Sequence, residues 1–168
     1  KEDIIRNKSG EAFLPDFIET RLKFSPYIKE AVTFGEDRPY ITAMINIDQG
    51  NVGNWAEERL IPYTTYMDLS QQKAVEELIL NEVREVNKQL PESMKIRRFV
   101  LLYKLLDADD EELTRTGKVR RRFVYGLYIR IIEAMYSGQK SVQVTGKIKY
   151  RDGRVGEIET TIHVLDVD

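Results

Sequence analysis

The residues best suited to chemistry lie in a basic run that follows an acidic loop. Lys118 and the neighbouring arginines Arg120–Arg122 are the densest group of cations in the chain, and Gly117 precedes the lysine. Cations at the start of a helix oppose the helix dipole, so this arrangement has a local energetic cost. Two interpretations follow: a solvated helix start, or a site that contacts phosphate or another polyanion. The run lacks interleaved aromatic residues, which disfavours sequence-specific nucleic-acid recognition.

Two familiar ion-binding loops do not fit this region. A phosphate-binding loop needs a glycine five residues before its second glycine and a Ser or Thr after the lysine. Glu112 and Val119 occupy those places. A calcium loop that begins at Asp107 needs glycine at its sixth position and an acid at its twelfth. Those positions hold Glu112 and Lys118, so both interpretations fail.

Composition excludes several other classes of protein. The 168 residues are 42% hydrophobic and carry a net charge of −2, which favours one globular domain over a disordered chain or a whole-surface polyanion binder. There is no cysteine, so disulfides, thiolate zinc sites and cysteine nucleophiles are excluded. The single histidine, His163, argues against a His-based triad or metal centre, and its alternation with apolar residues predicts that it faces solvent.

The chain shows no membrane or export signal. No apolar run approaches the roughly 20 residues of a membrane span, and no signal peptide is visible. The chain begins at Lys1 without a methionine and runs directly into a strand-like segment. We therefore expect a piece of a longer protein.

The pattern of apolar residues predicts mixed helices and strands over residues 1–136. Without strict β–α alternation, the order indicates an α+β class, with a small mixed or antiparallel sheet packed against helices. Trp55 is interpreted as a packing residue. The predicted elements are a helix from Pro15 that stops before Ser25, strands at 28–34 and 40–47, a helix at 51–59, an irregular stretch at 60–69, a helix at 73–90, a strand at 99–102, a loop at 107–117 and a helix at 121–136.

Residues 137–168 show a different period. After a linker at 137–140, apolar residues alternate with polar ones on both sides of a turn at 151–154, which predicts a β-hairpin extension. An isolated hairpin is marginally stable in water, so we expect it to dock on the main body or on a neighbouring molecule. Its free edges also suggest a homodimer as a hypothesis. The alternating residues are Val142, Val144, Ile148, Tyr150, Ile158, Thr160, Ile162 and Val164.

Two segments together resemble the C-terminal domain of AMP-forming acyl-CoA synthetases, in the adenylate-forming superfamily. Residues 2–19 are similar to the motif that follows the interdomain hinge, and residues 112–121 to the motif Pro-Lys-Thr-x-Ser-Gly-Lys-Ile-x-Arg. Residues 23–32 and 51–58 look like the long-chain fatty-acyl branch, whose helical insertion corresponds to about 50–91. The resemblance covers residues 2–136; Ala12 and Phe13 replace the usual Asn and Ile.

The resemblance implies a two-step activity. Such enzymes form an acyl-adenylate from a fatty acid and ATP, then transfer the acyl group to the thiol of coenzyme A. Lys118 is implied as the catalytic cation that bridges the substrate carboxylate and the α-phosphate and neutralises the developing charge. The domain is implied to rotate on a hinge at Glu2 and Asp3. The loop of Ser9, Gly10 and Glu11 then lines the pantetheine tunnel. Glu2 departs from the Asp or Lys usual at the hinge.

The resemblance also implies roles for further residues and partners. Gly117, Arg120 and Arg121 are candidate phosphate contacts, while Pro15 and Glu19 belong to a structural motif. ATP, Mg²⁺ and CoA would act in the full-length enzyme, with none bound tightly by this fragment, which we expect to be inactive alone. The expected partner is an N-terminal adenylation domain, not nucleic acid. ATP and CoA point to the cytoplasm, with peripheral membrane association left open.

Two alternative functions remain at this point. One is the same kind of domain in an enzyme that loads the phosphopantetheine of a carrier protein instead of free CoA. The other is a non-enzymatic interaction module that uses the basic run at residues 118–122.

Overall fold

The computed structural model describes residues 4–149 and 152–168. The predicted hinge residues Glu2 and Asp3, and Tyr150 of the predicted hairpin, lie outside the described residues. The elements in chain order are β1 (Ile5–Arg6), β2 (Ala12–Phe13), α1 (Pro15–Lys23), β3 (Ile28–Phe34), β4 (Ile41–Ile47), α2 (Gln49–Glu58), α3 (Tyr66–Ser70), α4 (Lys73–Asn87), a 3₁₀ turn (Glu92–Met94), β5 (Ile96–Leu101), α5 (Arg121–Leu127), α6 (Ile129–Tyr136), β6 (Ser141–Lys149), β7 (Val155–His163) and β8 (Leu165–Asp166).

A mixed sheet with strand order β3-β4-β5-β8 forms the centre of the fold. β3 and β8 pair antiparallel with their neighbours, whereas β4 and β5 are parallel. β4 is buried along its whole length, as expected for a central strand covered on both faces. The predicted α+β class is confirmed.

Each face of the sheet packs against its own core. Ile41, Ala43 and Ile45 of β4 contribute to one core, which α1, α2 and α4 cover. Met44, between them in sequence, contributes to the other core, which α5, α6 and the hairpin cover. The two-residue side-chain period of a strand explains this division.

Several helix boundaries differ from the predictions because side chains bond to distant or flanking backbone. α4 ends at Asn87 rather than at residue 90. The side-chain amide of Asn87 donates to the Ile96 carbonyl at 2.8 Å and accepts from the Ile96 N–H at 2.9 Å. The prediction of an irregular stretch at 60–69 was wrong for its last residues, which belong to α3 (Tyr66–Ser70). There α3 begins after Thr65, whose hydroxyl accepts from the Asp68 N–H at 3.0 Å. β5 also starts earlier than predicted, at Ile96.

The single helix predicted over residues 121–136 is instead two helices. Tyr128 separates α5 from α6, with a ψ of 23° that departs from helical geometry. Gly126 weakens the helix beside the break, and the Tyr128 hydroxyl donates to the buried carboxylate of Glu112. A tertiary contact therefore competes with the continuous periodicity.

The C-terminal hairpin docks on the main body, which confirms one of the two predicted outcomes. Val142 and Ile162 are cross-strand partners and are buried in the second core. Gly146 approaches Met67 and Tyr103 so closely that an added Cβ would lie 2.5 Å from Met67 Cε. The opposite face of the hairpin is mostly polar, with Val155 as an exposed apolar residue on it.

The residues after the hairpin complete the central sheet, which the sequence pattern did not indicate. β8 pairs with β5, and an ion pair of 2.7 Å joins Arg98 to Asp166. His163 is half exposed, as expected for a solvent-facing residue, but its Nδ1 also lies 2.8 Å from Glu76 Oε2 on α4. Burial raises the pKa of Glu76, and the contact with His163 partly offsets that effect.

We predict that Gly35→Ala destabilises the domain, because the new methyl group meets a buried ring. A Cβ at Gly35 would lie 2.7 Å from Phe13 Cζ and 3.2 Å from Ile41 Cγ1. Overpacking of this kind costs about 1–3 kcal/mol. Gly126→Ala is the matched control, since a Cβ there meets no atom within 4 Å and stabilises a helix by up to about 1 kcal/mol. Urea unfolding of both variants checks this prediction; equal stabilities would contradict it.

Candidate functional site

The loop of Ser9, Gly10 and Glu11 is held in shape by Asn7. The buried Asn7 side chain accepts hydrogen bonds from the N–H groups of Ser9 at 3.0 Å and Glu11 at 2.9 Å. Gly10 has a φ of +83°, a conformation that glycine adopts without strain. The three loop residues are exposed, and an added Cβ at Gly10 would meet no atom within 4 Å. The loop is therefore rigid at its base and open at its tip.

Lys118 lies at the end of a second tight loop. Leu113 and Val119 form an antiparallel bridge that closes this loop. Inside the loop, the Lys118 N–H donates to Thr114 Oγ1 at 3.0 Å, and Gly117 has a φ of +84°. Lys118 is exposed, and its ammonium makes no hydrogen bond or ion pair with the residues that the structure describes. The backbone is fixed while the charge remains available.

A buried carboxylate forms the base of the Lys118 loop. The Glu112 side chain is fully buried, and its Oε1 accepts from Lys104 Nζ at 2.5 Å and from the Asp107 N–H at 3.0 Å. Its Oε2 accepts from the Tyr128 hydroxyl. Lys104 also forms an ion pair with Asp110 at 3.1 Å. Three segments of chain are thus tied together by one carboxylate.

The electrostatics of this cluster keep both donors protonated. Burial alone lowers the pKa of Lys104, but the hydrogen bonds and charges of Glu112 and Asp110 raise its pKa above the ordinary value. Burial and the contact with Glu112 raise the pKa of Tyr128. At neutral pH the ammonium and the phenol therefore both donate to Glu112.

The arginines of the basic run have different surroundings. Arg121 forms a bidentate pair with Glu19, at 2.7 and 2.9 Å, and donates to the Thr33 carbonyl at 2.9 Å. Glu19 in turn accepts from the N–H and hydroxyl of Thr33. Arg120 is exposed, and its Cζ lies 5.1 Å from the ring centroid of Phe123. Arg121 therefore joins α1, β3 and α5, while Arg120 and Lys118 face solvent.

Pro15 and Glu19 lie on the same helix, α1. Pro15 occupies its first turn, where its missing N–H costs nothing. One turn later, Glu19 points into the Arg121 contact.

The bases of the two loops are bonded near opposite ends of β4. The carbonyl of Arg38, in the turn before β4, accepts from the Lys8 N–H at 2.9 Å. Asn46, near the end of β4, donates to the Lys104 carbonyl at 2.8 Å and accepts from the Leu106 N–H at 2.9 Å. A seven-residue strand is about 20 Å long. The sheet thus holds the two loop bases apart.

The described residues contain neither a cluster of metal ligands nor a membrane-spanning helix. Within residues 4–149 and 152–168, no group of three or more acidic or histidine side chains is arranged to hold a metal ion. In the same part of the chain, no helix has the length and apolarity to cross a bilayer.

No motif or periodicity in the sequence points to the supporting roles of Glu112, Lys104 and Tyr128. Glu112 follows five residues of which four are acidic and exposed, so its burial has no local signal. Tyr128 belongs to the apolar pattern of the helix predicted at 121–136, but that pattern does not indicate a partner for its hydroxyl.

Comparisons with known proteins agree with this arrangement. The fold is that of the C-terminal region of adenylation domains: the adenylation domain of a carboxylate reductase from Mycobacterium chelonae matches with a TM-score of 0.64 and 18% identity, over 80% of this chain and 19% of that chain. Residues 2–140 match the family described as AMP-binding enzyme C-terminal domain. The chain belongs to this family.

Two curated relatives are each 30% identical over 138 residues. A long-chain-fatty-acid–CoA ligase of Mycobacterium tuberculosis matches over 82% of this chain and 23% of its own length. An adenylate-forming reductase of Serpula lacrymans matches over 81% of this chain and 11% of its own length. The chain therefore spans less than a quarter of either relative, and the resemblance found in the sequence is confirmed.

We predict that Lys104→Met destabilises the domain, because it leaves the buried carboxylate of Glu112 without its cation. Breaking a fully buried pair costs about 3–5 kcal/mol; since the Lys104 side chain is 32% exposed, we expect about 2 kcal/mol after solvent screening. Lys88→Met is the control, because the Lys88–Glu85 pair is exposed and should cost less than about 1 kcal/mol. Chemical denaturation measures both, and similar losses would refute the role of the cluster.

Proposed function

We propose that this chain is the mobile C-terminal domain of a fatty-acid–CoA ligase that acts on long-chain substrates. The observation that carries the proposal is the exposed Lys118 ammonium on a loop whose base is fixed by buried hydrogen bonds. The similarity to a long-chain-fatty-acid–CoA ligase supports the choice of substrate and acceptor.

In this proposal Lys118 acts in the adenylation step. The carboxylate of the fatty acid attacks the α-phosphate of ATP, which brings two anions together and releases pyrophosphate. A preorganised cation stabilises the charge that develops between them. The flexible stem and compact charge of lysine suit this task, and the hydrogen bonds of Thr114 and Glu112 support the loop that carries it.

The Gly10 loop acts in the thioester step of the same proposal. Rotation about the hinge at Glu2 and Asp3 would replace the Lys118 loop with the Gly10 loop beside the acyl-adenylate. Gly10 presents no side chain, so the pantetheine arm of CoA would pass close to the backbone. The two loop bases lie apart along β4, which supports a domain that turns as one rigid body and brings first the Lys118 loop and then the Gly10 loop to the acyl-adenylate.

The remaining substrate contacts are assigned to the rest of the protein. As the resemblance to the acyl-CoA synthetases implies, ATP and Mg²⁺ would be held mainly by the N-terminal adenylation domain. Gly117 and Arg120 are the candidates for phosphate contacts in this chain. The Arg120 side chain is exposed, although its Nη1 donates to the Glu111 carbonyl at 3.0 Å, whereas Arg121 forms a bidentate pair with Glu19. The domain alone would not turn over.

A second candidate function differs in the thiol acceptor. The second candidate is an enzyme that loads the phosphopantetheine arm of a carrier protein; the chain is also similar to an adenylate-forming reductase, whose name does not make it a CoA ligase. Competition between free CoA and a loaded carrier protein in the full-length enzyme separates the two. The family membership favours either enzyme over a non-enzymatic interaction module.

We predict that Lys118→Ala in the full-length enzyme slows acyl-adenylate formation by a factor of about 10² or more, because one preorganised charge is lost. Thioester formation from preformed acyl-adenylate should be unchanged. Lys29→Ala is the control, since Lys29 is an exposed lysine on β3. Pyrophosphate release and CoA consumption measure the two steps separately. Survival of both half-reactions would make Lys118 a surface residue and would reject the proposal.

A further inference from the structure

Arg38 connects the turn between β3 and β4 to both helices that follow the Lys118 loop. Its Nη2 donates to the Tyr125 hydroxyl of α5 at 2.7 Å, and its guanidinium forms an ion pair with Glu133 of α6. Its Cζ also lies 4.6 Å from the ring centroid of Tyr136. The Arg38 side chain is 20% exposed and that of Glu133 is 52% exposed. The hydrogen bond to Tyr125 is therefore partly shielded from water, whereas the ion pair lies at the surface.

The backbone of the same turn holds the Gly10 loop. The Arg38 carbonyl accepts from the Lys8 N–H at 2.9 Å, and the Asp37 N–H donates to the Arg6 carbonyl at 3.1 Å. Asp37 has a φ of 55°, which a non-glycine residue keeps where its surroundings hold it in place. The backbone of this turn therefore bonds the Gly10 loop, and the Arg38 side chain in the same turn bonds α5 and α6.

We infer that Arg38 is a positioning residue that fixes the Gly10 loop relative to α5 and α6 and thereby sets the rate of the thioester step. This inference rests on the proposed function of the Gly10 loop. Arg38 itself contacts no reacting group; it acts through the turn.

The contacts require an arginine rather than any cation. The guanidinium reaches Tyr125 and Glu133 at once and stacks on Tyr136, which a lysine ammonium cannot reproduce with the same geometry. The hydrogen bond and charge of Arg38 lower the pKa of Glu133, so the pair is charged at neutral pH. Arg38→Lys therefore keeps the charge and removes the geometry.

Loss of the Arg38 side chain should loosen the Gly10 loop without unfolding the domain. The hydrogen bonds from Lys8 and Asp37 use backbone atoms, so they can still form in any Arg38 variant, but they open more often when the side chain no longer anchors the turn. Phe13, at the end of the loop, stays buried in the first core. A displacement of about 1 Å can cost up to about 10² in rate, and we expect roughly a tenfold effect for a loosened but folded loop.

The test uses the full-length enzyme with Arg38→Gln, Arg38→Lys and the control Arg59→Gln. Arg59 also stacks on an aromatic ring, with its Cζ 4.5 Å from the Trp55 centroid, but it lies at the end of α2. Both Arg38 variants should slow thioester formation from preformed acyl-adenylate by about tenfold and leave adenylation within about twofold. Hydrogen exchange in the peptide that contains Lys8 should accelerate in the Arg38 variants and not in the control.

A separate pair of variants distinguishes failure of this inference from failure of the proposed function. Gly10→Phe and Gly138→Phe place the same ring on two exposed glycines with positive φ, each with open space around it. If Gly10→Phe leaves the thioester step unchanged, the proposed function of the loop fails, and the inference fails with it. If Gly10→Phe blocks the thioester step and Gly138→Phe does not, the proposed function of the loop stands. The Arg38 variants then test the inference about Arg38 alone.

Three results with the Arg38 variants would overturn the inference while the role of the loop stands. Rates equal to those of Arg59→Gln would show that the side chain has no positioning role. Equal losses in both half-reactions would indicate a structural role alone. Full activity in Arg38→Lys would show that charge is sufficient without the guanidinium geometry.

Discussion

The central strand β4 has an apolar core on both of its faces, and the rest of the domain is arranged around this constraint. A strand with no face toward water needs helices on each side, which α1, α2 and α4 provide on one face and α5, α6 and the hairpin on the other. The residues that flank its two ends, unlike those on its faces, are partly exposed. Both candidate loops take their support from the residues at these ends.

Two buried ionic groups fix the geometry around the Lys118 loop. Glu112 gathers Lys104, Tyr128 and a backbone N–H beneath the Lys118 loop, and Glu19 gathers Arg121 and Thr33 where α1, β3 and α5 meet. Removing charges from water is costly, so such groups persist where each carboxylate oxygen has a partner. Directional bonds restrict the position of the chain more than apolar contacts do. They explain how loops with exposed tips have defined bases.

This arrangement is consistent with one rigid domain that presents two surfaces in turn. The proposed rotation would require no change inside the domain, since each loop is held by its own hydrogen bonds and the sheet connects them. Arg38 adds a further link, because its backbone bonds the first loop and its side chain bonds the helices that follow the second. The hairpin covers part of the second core, and the strand after it completes the central sheet.

Local patterns and motifs in the sequence determined much of this description. Apolar periods located α1, α4, β3, β4 and the hairpin, because the buried face of an element repeats within the element itself. The two motifs around Gly10 and Lys118 identified the family. The tertiary structure decided the rest: the break at Tyr128, the pairing of β8, the burial of Glu112 and the bond between Arg121 and Glu19, which are 102 positions apart. A charged residue has the same local pattern whether it faces water or a distant partner. Only the folded chain distinguishes Lys118, whose ammonium has no partner among the described residues, from Arg121, which pairs with the buried Glu19.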